Sequence, residues 1–254
     1  LNTHIMKSLI RQLFRDKTTA AMLLISSFII GVCALAPSVF VIIVLNKFLA
    51  SGVTATCLYL ALRAVLLLRF EFAFRQNRSI MIQEFNKSIF QPLMDGLSKK
   101  IKEIKITGEQ FKKLEKAGAI IKGATNPSIT ASLLDWPFVL MFLLVLLLIN
   151  WTAAFITAVF MFLIIALHNQ RVNLSMVTDT KANLEILLTG LLTITVMSVG
   201  ALQIVAGTLD VGLLIGSNIL AARALQGTNK YVKSKAIITQ REIATKEIYE
   251  FIKQ

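Results

Sequence analysis

The sequence contains few side chains that could do covalent or metal chemistry. His4 and His168 are its only histidines, and no serine or cysteine accompanies them in the pattern of a catalytic triad or a set of metal ligands. Cys33 and Cys57 both lie in apolar runs, so we expect them to be buried as small hydrophobic residues. No Gly-Lys dipeptide occurs, so residues 118–123 (GAIIKG) cannot form the phosphate-binding loop of nucleotide hydrolases. We therefore predict no catalytic, metal or cofactor site in this sequence.

A second kind of chemistry is suggested by residues that interrupt apolar segments. An ionisable side chain at membrane depth is costly unless it pairs with another charge or faces water. A proline inside a helix removes one hydrogen bond and kinks the helix. The candidates for lining or gating a translocation pathway are Arg63, Arg69, Glu71, Arg223 and Pro37.

Each of these five residues also has a simpler interpretation. For Arg63, a polar cavity competes with an ion pair or with snorkelling of the side chain to the membrane surface. Arg69 and Glu71 lie near the end of their apolar run and can instead mark the membrane surface. Arg223 can anchor its helix at that surface, and the Pro37 kink can serve packing alone.

The composition is that of an integral membrane protein. Of 254 residues, 56% are hydrophobic and 16% are charged, and the mean hydropathy is +0.71. A soluble fold of this size could not cover so much apolar side chain with polar surface. The net charge of +13 is concentrated in blocks beside apolar segments, without interleaved aromatic residues. The positive-inside rule explains these blocks, and we expect a lipid bilayer rather than nucleic acid as the partner.

Six apolar runs could cross a bilayer core, which takes about 20 helical residues. They are 19–45, 54–74, 132–149, 152–167, 187–206 and 211–225. The junctions 46–53, 150–151 and 207–210 contain Lys47 as their only basic residue, and most other lysines and arginines lie outside the runs. Both termini are therefore predicted to be cytoplasmic. The predicted fold class is an all-α membrane protein with six transmembrane helices and long cytoplasmic helical extensions.

The polar segments also have helical periodicity. Residues 1–17 favour an interfacial elbow helix before a six-span domain at 18–225. Within that domain, residues 75–134 predict a cytoplasmic helical hairpin that turns near residue 105, although a solvated hairpin without a partner has the same pattern. Residues 226–254 predict a cytoplasmic extension of the sixth span.

Residues 200–226 combine an apolar helix, a Gly-Thr-Leu-Asp turn and a second apolar helix that ends in Ala-Arg-Ala-Leu. This hairpin, which contains Gly207 and Gly212, resembles the last two membrane helices of the ABC exporters that drive type I protein secretion in Gram-negative bacteria. Residues 46–56 (NKFLASGVTAT) resemble the first periplasmic turn of that family, with Asn46 where the family usually has aspartate.

Residues 134–138 (LDWPF) resemble the start of the third span in the same family. The resemblance makes Asp135 the N-cap of that span and places Pro137 in its first turn, where the missing N–H has no cost. It also implies a coupling helix near the hairpin tip, at Lys105, Ile106, Thr107 and Gly108.

The resemblance implies the fold and partners of an ABC exporter transmembrane domain (type IV ABC transporter). These are a homodimer in the bacterial inner membrane, a periplasmic membrane fusion adaptor, an outer-membrane channel and a secreted, unfolded polypeptide. ATP and Mg²⁺ are expected only in a nucleotide-binding domain that the sequence lacks. The chain would hydrolyse ATP only with such a domain fused to it or in complex.

One departure from the family pattern leaves other functions open. The link at 168–186 is too short for the second intracellular hairpin of these exporters, which we expect to be deleted here or missing from the sequence. One alternative is an ATPase-lacking membrane scaffold derived from an exporter. Another is an ABC exporter of lipids or small molecules.

Overall fold

The fold is all-helical in the part of the chain that the computed structural model describes, which is residues 17–48, 54–103, 108–169 and 178–253. The α-helices are α1 (Lys17–Cys33), α2 (Ala36–Ile43), α3 (Thr54–Glu103), α4 (Gly108–Ala124), α5 (Pro127–Ile149), α6 (Trp151–Asn169), α7 (Thr178–Val205) and α8 (Val211–Lys253). A π-helix, Val44–Phe48, follows α2. The predicted elbow helix lies outside these residues apart from Lys17, as do Lys105, Ile106 and Thr107.

Within the described residues, four helical segments are long and apolar enough to cross a membrane. They are Thr18–Asn46, Pro127–Ile149, Trp151–His168 and Asn183–Val205. Large apolar side chains on them point outward, such as Leu148 at 78% exposure and Phe162 at 73%. Exposed apolar surface of this extent is characteristic of a membrane interaction site. The architecture therefore fits an α-helical membrane protein.

The other two predicted spans lie within longer helices. Residues 54–74 belong to α3 and residues 211–225 belong to α8. Both helices are long enough to cross a membrane, but their composition is less apolar than that of the four segments. Residues 54–74 contain three charged side chains, Arg63, Arg69 and Glu71. In residues 211–225, Asn218 and Arg223 lower the mean hydropathy. The six-span arrangement stays a prediction.

The contacts divide the chain into two compact units. The apolar unit comprises Ser27–Phe74 and Asp135–Val232; the hairpin unit comprises α1 up to Ser26, Arg75–Leu134 and the chain from Lys233. The core of the apolar unit is formed where α5 to α8 meet, and its most buried large side chains include Leu146, Ile164, Leu192 and Leu220. Burying each such side chain stabilises the unit by about 1.5–3 kcal/mol.

Asn150 fixes the turn between α5 and α6. Its Oδ1 accepts hydrogen bonds from the backbone N–H groups of Thr152 (3.1 Å) and Ala153 (3.2 Å), which makes it the N-cap of α6. Its Nδ2 donates to Oε1 of Gln203 on α7 at 2.9 Å. One side chain thus ends the turn and ties it to the neighbouring helix.

Gly207 ends α7 in a Schellman motif. The Thr208 N–H donates to the carbonyl of Gln203 at 3.0 Å, and the Gly207 N–H donates to the carbonyl of Ile204 at 2.9 Å. Gly207 has φ +71°, a left-handed conformation that costs an L-residue with a Cβ roughly 1–2 kcal/mol. This requirement gives a physical role to a glycine that the sequence analysis identified only by resemblance.

The hairpin unit packs α3, α4 and α8 around a core that includes Leu93, Leu97, Leu114, Ile121 and Ile248. Arg241 of α8 is 3% exposed, lies 4.8 Å from the ring centre of Phe90 and donates to the carbonyl of Ala124 at 3.5 Å. Burial lowers the pKa of Arg241, and the neighbouring Glu242 opposes that shift. Asn86 donates to the next carbonyl, that of Thr125, at 3.0 Å. Side chains of α3 and α8 therefore satisfy carbonyls at the end of α4.

The predicted start of the third span is wrong. Helix α5 begins at Pro127, ten residues before Pro137, which lies inside the helix. Asp135 is therefore not an N-cap. That role belongs to Asn126, whose Oδ1 accepts from the Ser128 N–H at 3.1 Å, with Pro127 in the first helical position.

We predict that Gly207→Ala destabilises the protein by roughly 1–2 kcal/mol, because alanine disfavours the left-handed conformation. Thermal unfolding of the purified protein in detergent measures the change. Gly190→Ala is the matched control, since an added Cβ at this position of α7 has nothing within 4 Å. It should leave the melting temperature unchanged or raise it slightly. Equal melting temperatures for the two variants would contradict the Schellman assignment.

Candidate functional site

The first membrane helix is broken at Ala34–Leu35. Helix α1 ends at Cys33 and α2 starts at Ala36, with Pro37 in its first turn. Proline has no N–H, so the carbonyl of Cys33 loses the donor that a continuous helix would supply four residues later. In the structure, the kink predicted at Pro37 is a two-residue interruption of the helix at Ala34 and Leu35.

Arg223 binds at this break. Its Nη1 donates to the carbonyl of Ala34 at 2.5 Å, and the side chain is half-buried on α8. A guanidinium is always protonated and carries five donors, so it can satisfy a backbone carbonyl that a helix has released. The contact joins two of the predicted pathway residues, Pro37 and Arg223, through the segment between α1 and α2.

A third candidate, Glu71, belongs to the same neighbourhood. It is 9% exposed on α3 and lies within electrostatic reach of the Cys33 thiol, next to the break. Arg223 and the break are in direct contact, and Glu71 is near enough to act electrostatically on the Cys33 thiol; we call these three features the cluster at the break. A hydrogen bond from the side chain of one helix to a backbone carbonyl of another can change partner when the helices move.

Arg63 and Arg69 are not part of this cluster. Both are exposed on α3, and the Arg63 guanidinium lies 4.3 Å from the ring centre of Tyr59, one turn towards the start of the helix. Apolar neighbours such as Leu62 and Leu66 are exposed as well. A cation–π contact would compensate part of the cost of an arginine in the predicted second span. Whether these residues line a pathway stays a prediction.

Two glycines bring α8 close to the first membrane helix. A Cβ added to Gly216 would lie 2.6 Å from Cδ1 of Ile42, and one added to Gly212 would lie 3.0 Å from the carbonyl oxygen of Ile42. With the contact between Arg223 and Ala34, these positions form one antiparallel interface along α2 and α8. The Gly-x-x-x-Gly spacing of 212 and 216 is a known signal for such close approach, which the sequence analysis missed.

Asn46 closes the far end of this interface. Its Oδ1 accepts from the Gly212 N–H at 3.0 Å, and its Nδ2 lies 3.5 Å from Oδ2 of Asp210. Because the first N–H groups of a helix lack partners within it, Asn46 caps α8 from another helix. Asn46 and Gly212 belong to separate motifs of the sequence, and the structure brings them together. Gly108, the described part of the predicted coupling region, begins α4.

We predict that Gly216→Ala destabilises the protein by about 1–3 kcal/mol, because the new methyl group must displace Ile42. The double variant Gly216→Ala/Ile42→Ala should lose less stability than the two single variants together, since Ile42→Ala removes the clashing atoms. Thermal unfolding of the four proteins gives the coupling. Gly123→Ala, with open space around its Cβ, is the control; strictly additive losses would contradict the close contact.

Comparison with known proteins adds no family assignment. No protein-family model matches the sequence, and no curated protein matches it at a significant level. The resemblance to ABC exporters thus depends on the motifs in residues 46–56, 134–138 and 200–226.

Proposed function

We propose that this chain is the transmembrane domain of an ABC exporter for type I secretion, which moves an unfolded polypeptide across the bacterial inner membrane. In this proposal the chain has six spans, both termini are cytoplasmic and two copies form the pathway. The energy comes from nucleotide-binding domains outside this sequence. A periplasmic adaptor and an outer-membrane channel receive the cargo.

The length of two helices carries the proposal. Helix α3 has 50 residues and α8 has 43, which corresponds to about 75 and 65 Å at 1.5 Å per residue. The hydrocarbon core of a bilayer is only about 30 Å thick. In each helix one part is apolar and the other is rich in lysine and glutamate. Helices that cross a membrane and continue far beyond it suit an exporter, because they can transmit motion from ATPase domains to the pathway.

The cluster at the break supports a moving pathway. In the proposed topology the break lies within span one, Glu71 within span two and Arg223 within span six. An uncompensated charge there would be costly. Arg63 lies within span two on an exposed surface. A second copy of the chain or a water-filled pathway would give its guanidinium a more favourable environment than lipid does.

In this proposal ATP and Mg²⁺ do not bind to this chain. The sequence has no Gly-Lys dipeptide for a phosphate-binding loop, and no group of three or more His, Cys, Asp or Glu side chains is placed to hold a metal in its described part. The nucleotide would therefore bind to a separate domain or subunit.

The short link between α6 and α7 favours the scaffold as a second candidate. Only residues 170–177 separate Asn169 from Thr178, which leaves no room for the second intracellular hairpin of the resembled family. A chain without that hairpin can bind partners in the membrane without receiving motion from an ATPase.

We predict that Thr208→Cys and Gln240→Cys, each in a variant without Cys33 and Cys57, are labelled from opposite sides of the inner membrane. A membrane-impermeant maleimide applied to spheroplasts should modify residue 208, whereas residue 240 should react only after permeabilisation. Both side chains are exposed. If only the four most apolar segments span the membrane, α8 does not cross it and both residues react from the same side.

A photo-crosslinking amino acid at position 63 tests the transported substance. A polypeptide exporter should give adducts with a protein that is also found in the culture medium, and these adducts should decrease when ATP is depleted. Lipid adducts that decrease when ATP is depleted would instead support a lipid exporter, since adducts with bilayer lipid do not depend on ATP. Adducts that do not depend on ATP, together with an intact mass equal to that of this chain, would support the scaffold.

A further inference from the structure

We propose that Arg223 and the Ala34–Leu35 break form a two-position latch between the first membrane helix and α8. In the closed position, which the structure shows, the guanidinium holds the carbonyl of Ala34. In the open position, that carbonyl accepts a hydrogen bond from the backbone N–H of Ser38 and Arg223 is released. The latch gives a moving part to the exporter proposed above, but its existence can be tested without any transport.

The exchange is feasible because one carbonyl has two donors within reach. In a continuous α-helix the carbonyl of Ala34 would accept from the N–H of Ser38, four residues later. Across the break, the Leu35 N–H donates to the carbonyl of Val32 and the Val39 N–H donates to the carbonyl of Leu35, both at 3.1 Å. The carbonyl of Ala34 accepts a hydrogen bond from Arg223. Either donor keeps the carbonyl satisfied, which a bilayer requires.

Pro37 keeps the two positions close in free energy. It supplies no N–H to Cys33 in either position, so the open helix remains one hydrogen bond short. Without this proline, the continuous helix would regain the bonds at both Cys33 and Ala34. Replacing Pro37 should therefore shift the equilibrium towards the open position and make Arg223 dispensable.

Two buried hydroxyl groups indicate that the closed position is not optimal. Ser38 and Ser217 are 1% and 0% exposed, and neither Oγ has a hydrogen-bond partner within the described chain. A buried polar group without a partner costs about 1–3 kcal/mol. Ser38 is the residue whose N–H binds the Ala34 carbonyl in the open position, and Ser217 follows Gly216, which contacts the same turn. A second arrangement of α2 and α8 can give these hydroxyls partners.

Helix α8 is one helix from Val211 to Lys253, so a shift along its axis carries Arg223 away from Ala34.

Cys33 is a native reporter of the latch, because its thiol is 7% exposed and directly precedes Ala34. In the Cys57→Ser variant, alkylation by N-ethylmaleimide measures how often this thiol becomes accessible. Arg223→Met should raise the alkylation rate roughly tenfold or more, since it removes a hydrogen bond to a charged donor. Arg223→Lys, which keeps a charged donor, should give a smaller increase.

The Pro37→Ala background decides between a latch and simple packing. Pro37→Ala alone should raise the Cys33 alkylation rate, and adding Arg223→Met should then change it by less than about twofold. An equal effect of Arg223→Met in both backgrounds, or no effect in either, would overturn the latch. Thermal unfolding verifies that each variant is folded, and Arg223→Lys replaces Arg223→Met in both backgrounds if the methionine variant is not. The outcome is independent of the topology and crosslinking tests above.

Discussion

A lipid bilayer supplies no hydrogen-bond partner to a backbone carbonyl, and this constraint governs the way the first membrane helix is built. Pro37 interrupts the helix, and the interruption exposes carbonyls that would otherwise be paired within it. The Arg223 guanidinium on α8 reaches the Ala34 carbonyl at 2.5 Å. It can do so because Gly212 and Gly216 let α8 approach the first helix closely. The glycines, the proline and the arginine therefore act as one arrangement.

The hairpin unit uses the same chemistry at another helix end. Arg241, eighteen residues beyond Arg223 on α8, donates to the carbonyl of Ala124 at 3.5 Å, and Asn86 donates to that of Thr125. In both units an arginine of α8 binds a backbone carbonyl where another helix stops. A cation is favourable at such a position because the carbonyl end of a helix carries partial negative charge. Helix α8 is thus tied by charge-assisted hydrogen bonds to a helix of each unit.

The all-helical character and the four most apolar spans followed from hydropathy, because about twenty apolar residues in sequence have few alternatives to a membrane helix. Local features were harder to assign. The start of α5 was placed at Asp135 from a motif, whereas the Asn126-Pro127 pair, an ordinary N-cap signal, marks the real start. The contacts of Asn46 with Gly212 and of Arg223 with Ala34 join residues more than 150 positions apart. Nothing in the local sequence around either residue identifies such a distant partner. These contacts could therefore be recognised only from the three-dimensional structure.

Helices α2 and α8 pack antiparallel, with Ile42 facing Gly216. The most direct test is a cysteine pair, Ile42→Cys and Gly216→Cys, in a variant without Cys33 and Cys57 and with a protease site between residues 103 and 108. Mild oxidation in membranes should join the two fragments after cleavage, since the Cβ atoms should lie within the roughly 3.5–4.5 Å that a disulfide needs. The pair Ile42→Cys and Asn218→Cys, turned away by two residues, should cross-link far more slowly. Equal rates for the two pairs, or cross-links only between chains, would contradict this packing.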